Sequence, residues 1–181
     1  SSVTTLFSSY LPFQIEYDDW KLYNDVATVS EDWNKISFDD STWKTVKATD
    51  IGASESVTVY LRRAVTIPDI SYYQVLNVRM KYNGGVVAYF NSRLVARFNL
   101  EENFDSSSTS LEVHDSTAFS RFHVILATAG GVTGNNVMAF ELHRPVGMSS
   151  STTFTFDATG VFGVNDCSPV LDTFSSLEGT S

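Results

Sequence analysis

Through residues 75–98, apolar and polar positions trade places with a period of two. Leu76, Val78, Met80 and Tyr82 fall on even positions, with Asn77, Arg79 and Lys81 between them. That alternation is the signature of a strand with one buried face. Asn83-Gly84-Gly85 supplies residues that tolerate positive φ, which predicts a tight hairpin. Residues 86–90 read as the return strand, Asn91-Ser92 as a second turn and residues 94–98 as a third strand. Together these predict an antiparallel meander.

The rest of the chain carries the same short-strand rhythm. Residues 20–25 (WKLYND) read as a strand entering a turn, and residues 57–67 (VTVYLRRAVTI), closed by Pro68, as a long β-branched strand. Residues 122–127, 137–143 and 152–157 complete the set. Residues 99–120 read mainly as a long polar loop, with a short strand at 111–113. The segment 31–43 (EDWNKISFDDSTW) is rich in aromatics and turn formers. Asp39, Asp40 and Ser41 suit a self-bonded turn, and Trp33, Phe38 and Trp43 suit plugs over the sheet edge. No segment sustains a helical period. The expectation is an all-β fold, an antiparallel β-sandwich. The domain spans 20–160, with a lead-in and first edge segment at 1–19 and a docked tail or linker at 161–181.

Composition narrows the partners. Hydrophobic residues make up 43% and aromatics 13% of 181 residues, enough for one sizeable core. A net charge of −9 and a pI of about 4.6 argue against nucleic acid and anionic membranes, since no basic footprint exists to release counterions. No apolar run has the length of a membrane span, so no membrane insertion is expected. The first residues lack the basic and apolar regions of a signal peptide. The expectation is therefore a cytosolic chain, or a mature or excised piece of a larger secreted one. Cys167 is the single cysteine, which predicts a free thiol or a partner outside this chain.

Catalytic patterns are missing. The histidines 114, 123 and 143 lie far apart, and the latter two sit in strands where a packed or hydrogen-bonded role is expected. No serine-nucleophile elbow, phosphate loop or dinucleotide fingerprint is present. The carboxylate pairs Asp18-Asp19, Asp39-Asp40 and Glu101-Glu102 are sequence neighbours, and neighbours on a strand point to opposite faces. Glycoside hydrolysis needs two carboxyl groups facing across a cleft. The expectation for these pairs is solvated turn charge, and for the chain no enzyme activity.

Antiparallel strands alternate their connections between two ends of a sandwich. That places the Asn83 turn, residues 99–120, residues 44–56 and residues 144–151 at one end, and the Asn91 turn and Gly130 link at the other. A full strand at 111–113 would reverse this parity beyond it. The first end offers Asp50, Asn83, Asn99, Glu101, Glu102 and Arg144 as candidate ligand-binding residues, with Asp105 and Asp115 as candidate metal ligands. Such oxygen-rich loops suit sugar hydroxyls or a hard cation such as calcium.

Several motifs also fall in a familiar order. WKLYND is followed by W-x4-FDDSTW at 33–43, YLRRAVTIPD at 60–69, YNGGVVAYFNSRLVARFNL at 82–100, NNVMAFELHRP at 135–145 and the run to Ala158. This series resembles the galactose-binding-like jelly-roll modules attached to secreted glycoside hydrolases, metallophosphoesterases and surface proteins. Asn83 stands where that pattern favours aspartate, Ser92 where it favours glycine, and only Gly52 remains of a glycine-rich stretch. The resemblance implies a non-catalytic module, extracellular or at a cell surface, that binds a glycan or glycoprotein. It implies no required cofactor, with room for a structural calcium ion. The alternative is a structural or assembly module contacting neighbouring domains of a larger chain.

Overall fold

The computed structural model describes the backbone of residues 11–14 and residues 19–164 in full. Among the described residues ten strands form two antiparallel sheets: β1 (Leu11–Gln14), β2 (Asp19–Tyr23), β3 (Lys44–Lys47), β4 (Thr58–Ile67), β5 (Val75–Tyr82), β6 (Gly85–Phe90), β7 (Arg93–Phe98), β8 (Ser120–Ile125), β9 (Gly134–His143) and β10 (Phe156–Gly163). One sheet runs β1-β10-β5-β8, the other β3-β2-β4-β9-β6-β7. A 3-10 turn, Ala48–Asp50, follows β3. The all-β, antiparallel sandwich expected from the alternating pattern is the fold observed.

The core lies between the sheets. Leu76, Val78, Met80 and Tyr82 enter it from β5, and Phe156, Ala158 and Phe162 from β10. They meet Met138, Phe140 and Leu142 of β9 and Trp20 and Leu22 of β2. Trp20 packs edge-on to Phe140 at 5.6 Å and to Phe156 at 5.9 Å, so one ring contacts both sheets. Each such buried aromatic contributes about 2–3 kcal/mol of transfer free energy.

The outer face of the six-stranded sheet is covered as well. Trp33, Trp43, Tyr60 and Ala139 form a second buried cluster, with Tyr23, Phe38 and Tyr89 packed against it. Trp33 and Trp43 stack at 6.4 Å, and Trp33 meets Tyr60 edge-on at 4.8 Å. The aromatic segment thus lies over a sheet face, not over an edge. Asp39 closes its own turn by accepting the Ser41 N–H at 2.9 Å. Asp40 is no solvated charge: its Oδ2 accepts from Arg62 Nε at 2.9 Å.

The largest departure from expectation is at Asn83-Gly84-Gly85. Residues 75–82 and 86–90 do not pair with one another. β5 lies between β10 and β8, while β6 lies between β9 and β7, so the connection is a corner between sheets and the three-strand meander does not exist. Neither glycine has positive φ. Their role is close approach: a Cβ on Gly84 would sit 2.0 Å from the His143 carbonyl oxygen, and one on Gly85 2.6 Å from Leu100 Cγ. The Asn91-Ser92 turn does form a tight hairpin between β6 and β7, with φ of 47° and 70° at its two residues.

Smaller corrections follow. Residues 111–113 form no strand, and the strand expected at 152–157 begins at Phe156 and runs to Gly163. A domain boundary at 160 would therefore cut β10, whose Val161 and Phe162 are fully buried. Leu11–Gln14, within the lead-in and first edge segment, pairs with β10 at the edge of its sheet. Cys167 and Asp18 lie outside the described residues.

Candidate functional site

The loops expected at one end of the sandwich meet there. Asn83 O accepts the His114 N–H at 2.9 Å, Arg144 O accepts the Ser110 N–H at 3.0 Å, and Gly52 O accepts the Phe154 N–H at 2.9 Å. The Asn83 side chain donates to Thr153 O at 2.9 Å and accepts from Thr155 N at 3.1 Å. With both halves of its amide used on segment 153–155, Asn83 holds that segment as a wall.

Behind this wall lies a pocket of about 270 Å³. Ala48 and Thr49 of the 3-10 turn line one side, Lys81 at the end of β5 and Ser116 of the long loop line another, and residues 153–157 close it. Its chemistry is four hydroxyls, one ammonium and one carboxylate, Asp157, over the buried rings of Phe154 and Phe156. Asp157 and Lys81 are cross-strand partners on β10 and β5. Hydroxyls that both donate and accept, above an apolar floor, suit a polyol ring. The lining supplies one carboxyl group, whereas glycoside hydrolysis uses a pair.

None of the residues singled out in the sequence lines this pocket, though several shape it. Asp50 is exposed, one residue past Thr49. Asp115 accepts from Thr117 N at 2.9 Å and Thr117 Oγ1 at 2.7 Å, closing the turn that carries Ser116. Asn99, at φ 60°, donates from Nδ2 to Gly84 O and Glu112 O, and its Oδ1 accepts the Glu112 N–H. Arg144 is buried and donates from Nη2 to Ser54, Glu55 and Ser56 carbonyls at 2.8–3.2 Å. Asn83, Asn99 and Arg144 thus stitch loops together. Glu101 and Glu102 are exposed.

The two candidate metal ligands are in separate turns. Asp105 accepts from Ser107 N and Oγ, and these bonds hold its carboxyl below the usual carboxylate range, the side-chain bond contributing most. The Asp115 carboxyl is lowered in the same way, chiefly by the Thr117 N–H. Among the described residues, no three His, Cys, Asp or Glu side chains are grouped so as to hold a metal ion.

A polar network lies on the outer face of the six-stranded sheet. His143 Nδ1 faces Ser108 O at 2.6 Å, and a carbonyl can only accept, so Nδ1 carries a proton. His143 Nε2 meets Glu141 Oε2 at 3.0 Å, and Glu141 Oε1 accepts from Tyr89 Oη at 2.9 Å. Thr58 Oγ1 donates to Ser106 O at 2.7 Å. His143 and Thr58 latch segment 106–108 onto the sheet. His143 therefore has the hydrogen-bonded, packed role expected of it. His114 stacks on Tyr82 at 4.0 Å, while His123 is exposed on β8.

The pocket residues that sequence reasoning missed had a weak signal. Thr153 and Thr155 belong to the hydroxyl-rich run 149–155, and Lys81 is one of the polar positions in the β5 alternation. Only the corner at Gly84 and the course of β10 bring them together.

No family model and no curated protein matches the chain. Solved structures do. A β-glucuronidase from Bacteroides uniformis superposes with a TM-score of 0.55 at 15% identity, over 84% of this chain and 18% of its own. A glycosyl hydrolase family 2 member from Bacteroides cellulosilyticus gives 0.53 at 15%, over 85% and 20%. A β-glucuronidase from an uncultured Clostridium sp. gives 0.53 at 10%, over 87% and 30%. At such identities the likeness is one of fold. The chain spans between about a fifth and a third of the length of these structures. No helix among the described residues is long and apolar enough to cross a membrane.

Proposed function

We propose that this chain is a non-catalytic, galactose-binding-like accessory module of a larger extracellular or cell-surface protein, and that it holds a saccharide. The observation that carries this is the hydroxyl-lined pocket framed by Lys81, Ser116, Thr153 and Thr155. Its volume suits one sugar ring, and its rim is built from loops held by side-chain-to-backbone bonds. The likeness to a portion of glycosidase chains supports the accessory role.

Calorimetric titration with a panel of oligosaccharides tests the reading. Ser116→Ala and Thr155→Val should each weaken binding by about three- to tenfold, the worth of one hydrogen bond. A blank panel, or binding indifferent to both substitutions, would overturn it. An assembly role is the second reading. It draws on Leu111, Val113, Val146 and Met148, each at least 41% exposed on loops at the same end. Ser110 ties these loops together by accepting the Val146 N–H at 3.1 Å. A module that binds no sugar but joins tightly to a neighbouring domain would favour that role.

A further inference from the structure

We infer that the open edge of β7 takes up an extended, acidic segment of a partner polypeptide, with a carboxylate of that segment seated between Arg93 and His123. β7 ends the order of the six-stranded sheet and pairs only with β6. β8 likewise ends the other sheet and pairs only with β5. Between these two edges lies a cleft of about 310 Å³, whose lining includes Arg93, Leu94 and Val95 of β7, His123 and Ile125 of β8, and Thr128. It shares no residue with the hydroxyl-lined pocket. Among the described residues, none bonds the backbone of β7 on its open side. An open strand edge beside a cleft is the geometry of strand addition. Main-chain bonds then supply affinity, and pockets for alternate side chains supply specificity.

Charge selects the occupant. Residues 70–100 and 116–140, which carry both edges, hold none of the chain's 21 Asp and Glu. Arg93 donates from Nη1 to Thr128 O at 2.6 Å, and Arg97 donates from Nη1 to Leu100 O. Carbonyls leave the charge in place, and among the described residues neither guanidinium is ion-paired. Arg93 is also held still. Its Nε lies 3.3 Å from where a Cβ on Gly130 would stand, so that glycine gives the side chain room to cross from β7 to the link after β8. Asp69 lies on an adjoining connection, where the Ile70 N–H meets Thr133 Oγ1, and its carboxylate accepts from Ser71 N and Oγ. The His123 ring is exposed, with no hydrogen-bond partner among the described residues, and adds a second donor. A small anion would use these donors but leave the β7 edge unpaired, whereas a polypeptide uses both. A second copy of this chain is disfavoured, because antiparallel pairing of β7 with itself about Val95 sets Arg93 opposite Arg97. An acidic strand turns that repulsion into a charge-assisted bond to a fixed guanidinium. Its neighbouring apolar residues cover Leu94, 53% exposed, and Ile125, 37% exposed.

Fluorescence anisotropy with labelled peptides and the intact chain tests this. The probes are an alternating Glu-Val peptide, its Gln-Val counterpart, and the Glu-Val peptide N-methylated at alternate residues. The plain Glu-Val peptide should bind about tenfold tighter than either control, one lacking the charge-assisted bond and the other the main-chain bonds. Arg93→Gln should erase the preference for Glu over Gln, and Arg93→Glu should transfer it to a Lys-Val peptide, with unchanged melting as the folding control. The three titrations of the unsubstituted chain decide the matter even if a variant fails to fold. Binding that ignores methylation and is displaced by glutarate would overturn the inference in favour of a small-anion site. Equal affinity for the Glu-Val and Gln-Val peptides, or no binding of either, would overturn it as well. A dimer in sedimentation that Arg93→Gln dissociates would give the edge to a second copy instead, and the inference would fall.

Discussion

Arg62 Nε donates to Asp40 Oδ2 at 2.9 Å, joining the middle of β4 to the loop over residues 31–43. The same guanidinium donates to the carbonyls of Trp33, Lys35 and Phe38 and lies 5.2 Å from the Phe38 ring centre. One buried side chain therefore fixes the turn that seals the outer aromatic cluster. Arg62→Ala should cost about 3–5 kcal/mol, because Asp40 and several carbonyls lose their donor together. Arg62→Lys should recover little, as one ammonium cannot reproduce the planar fork. Chemical unfolding of both variants checks this, and a lysine variant as stable as the parent would refute the role of the fork.

Two glycines should answer differently to the same replacement. Gly84 has no room, whereas Gly52 has open space but a φ of +75°. Asparagine tolerates left-handed backbone, so Gly52→Asn should change stability by less than about 1 kcal/mol. Gly84→Ala should cost about 3 kcal/mol, the upper end for overpacking. Denaturation midpoints of the pair decide whether sterics or backbone angle sets each position.

Asn83→Ala should weaken saccharide binding without touching a ligand, by releasing segment 153–155 from both of its bonds. Glu101→Gln with Glu102→Gln should leave binding unchanged, since these exposed carboxylates stand outside the pocket lining. Calcium should leave the melting temperature unchanged, because Asp105 and Asp115 are engaged in their own turns. Calorimetry and thermal melts with and without calcium report on all three expectations.

Alkaline stability should follow the buried tyrosines. Burial, reinforced by nearby Glu141, pushes the Tyr60 phenol up to about 12 and Tyr89 higher still. The unfolded chain releases these protons near pH 10. The stabilisation from holding both phenols neutral is thus complete below about pH 10 and lost as pH rises toward 12. Tyr89→Phe should reduce the steepness of that loss in pH-dependent unfolding.

The parts of the fold legible in the sequence were those with a one-dimensional signature. The β5 alternation, the β-branched run of β4 and the Asn91-Ser92 turn all read correctly, because period and left-handed turn chemistry are local. The corner at Asn83-Gly84-Gly85 did not, since a hairpin and a step between sheets can have the same length and composition. Only the His143 carbonyl and the Leu100 side chain, far along the chain, distinguish them. Loop placement at one end was legible, and the roles within it were not. Asn99 and Arg144 look like ligand groups in sequence, yet their hydrogen bonds go to backbone that only the folded chain brings near.

Asn83 and Gly84 alone separate a strand of one sheet from a strand of the other. The other crossings, residues 15–18, 68–74, 99–119, 126–133 and 144–155, are all longer. Like a book bound along one edge, the sandwich can open least beside this corner and most at the far end, near Asn91 and Gly130. Backbone amides at the start of β6 should accordingly exchange with solvent more slowly than those near Gly130. The pocket stands on the bound edge, so a ligand meets a rim already in place and loses little freedom in ordering it.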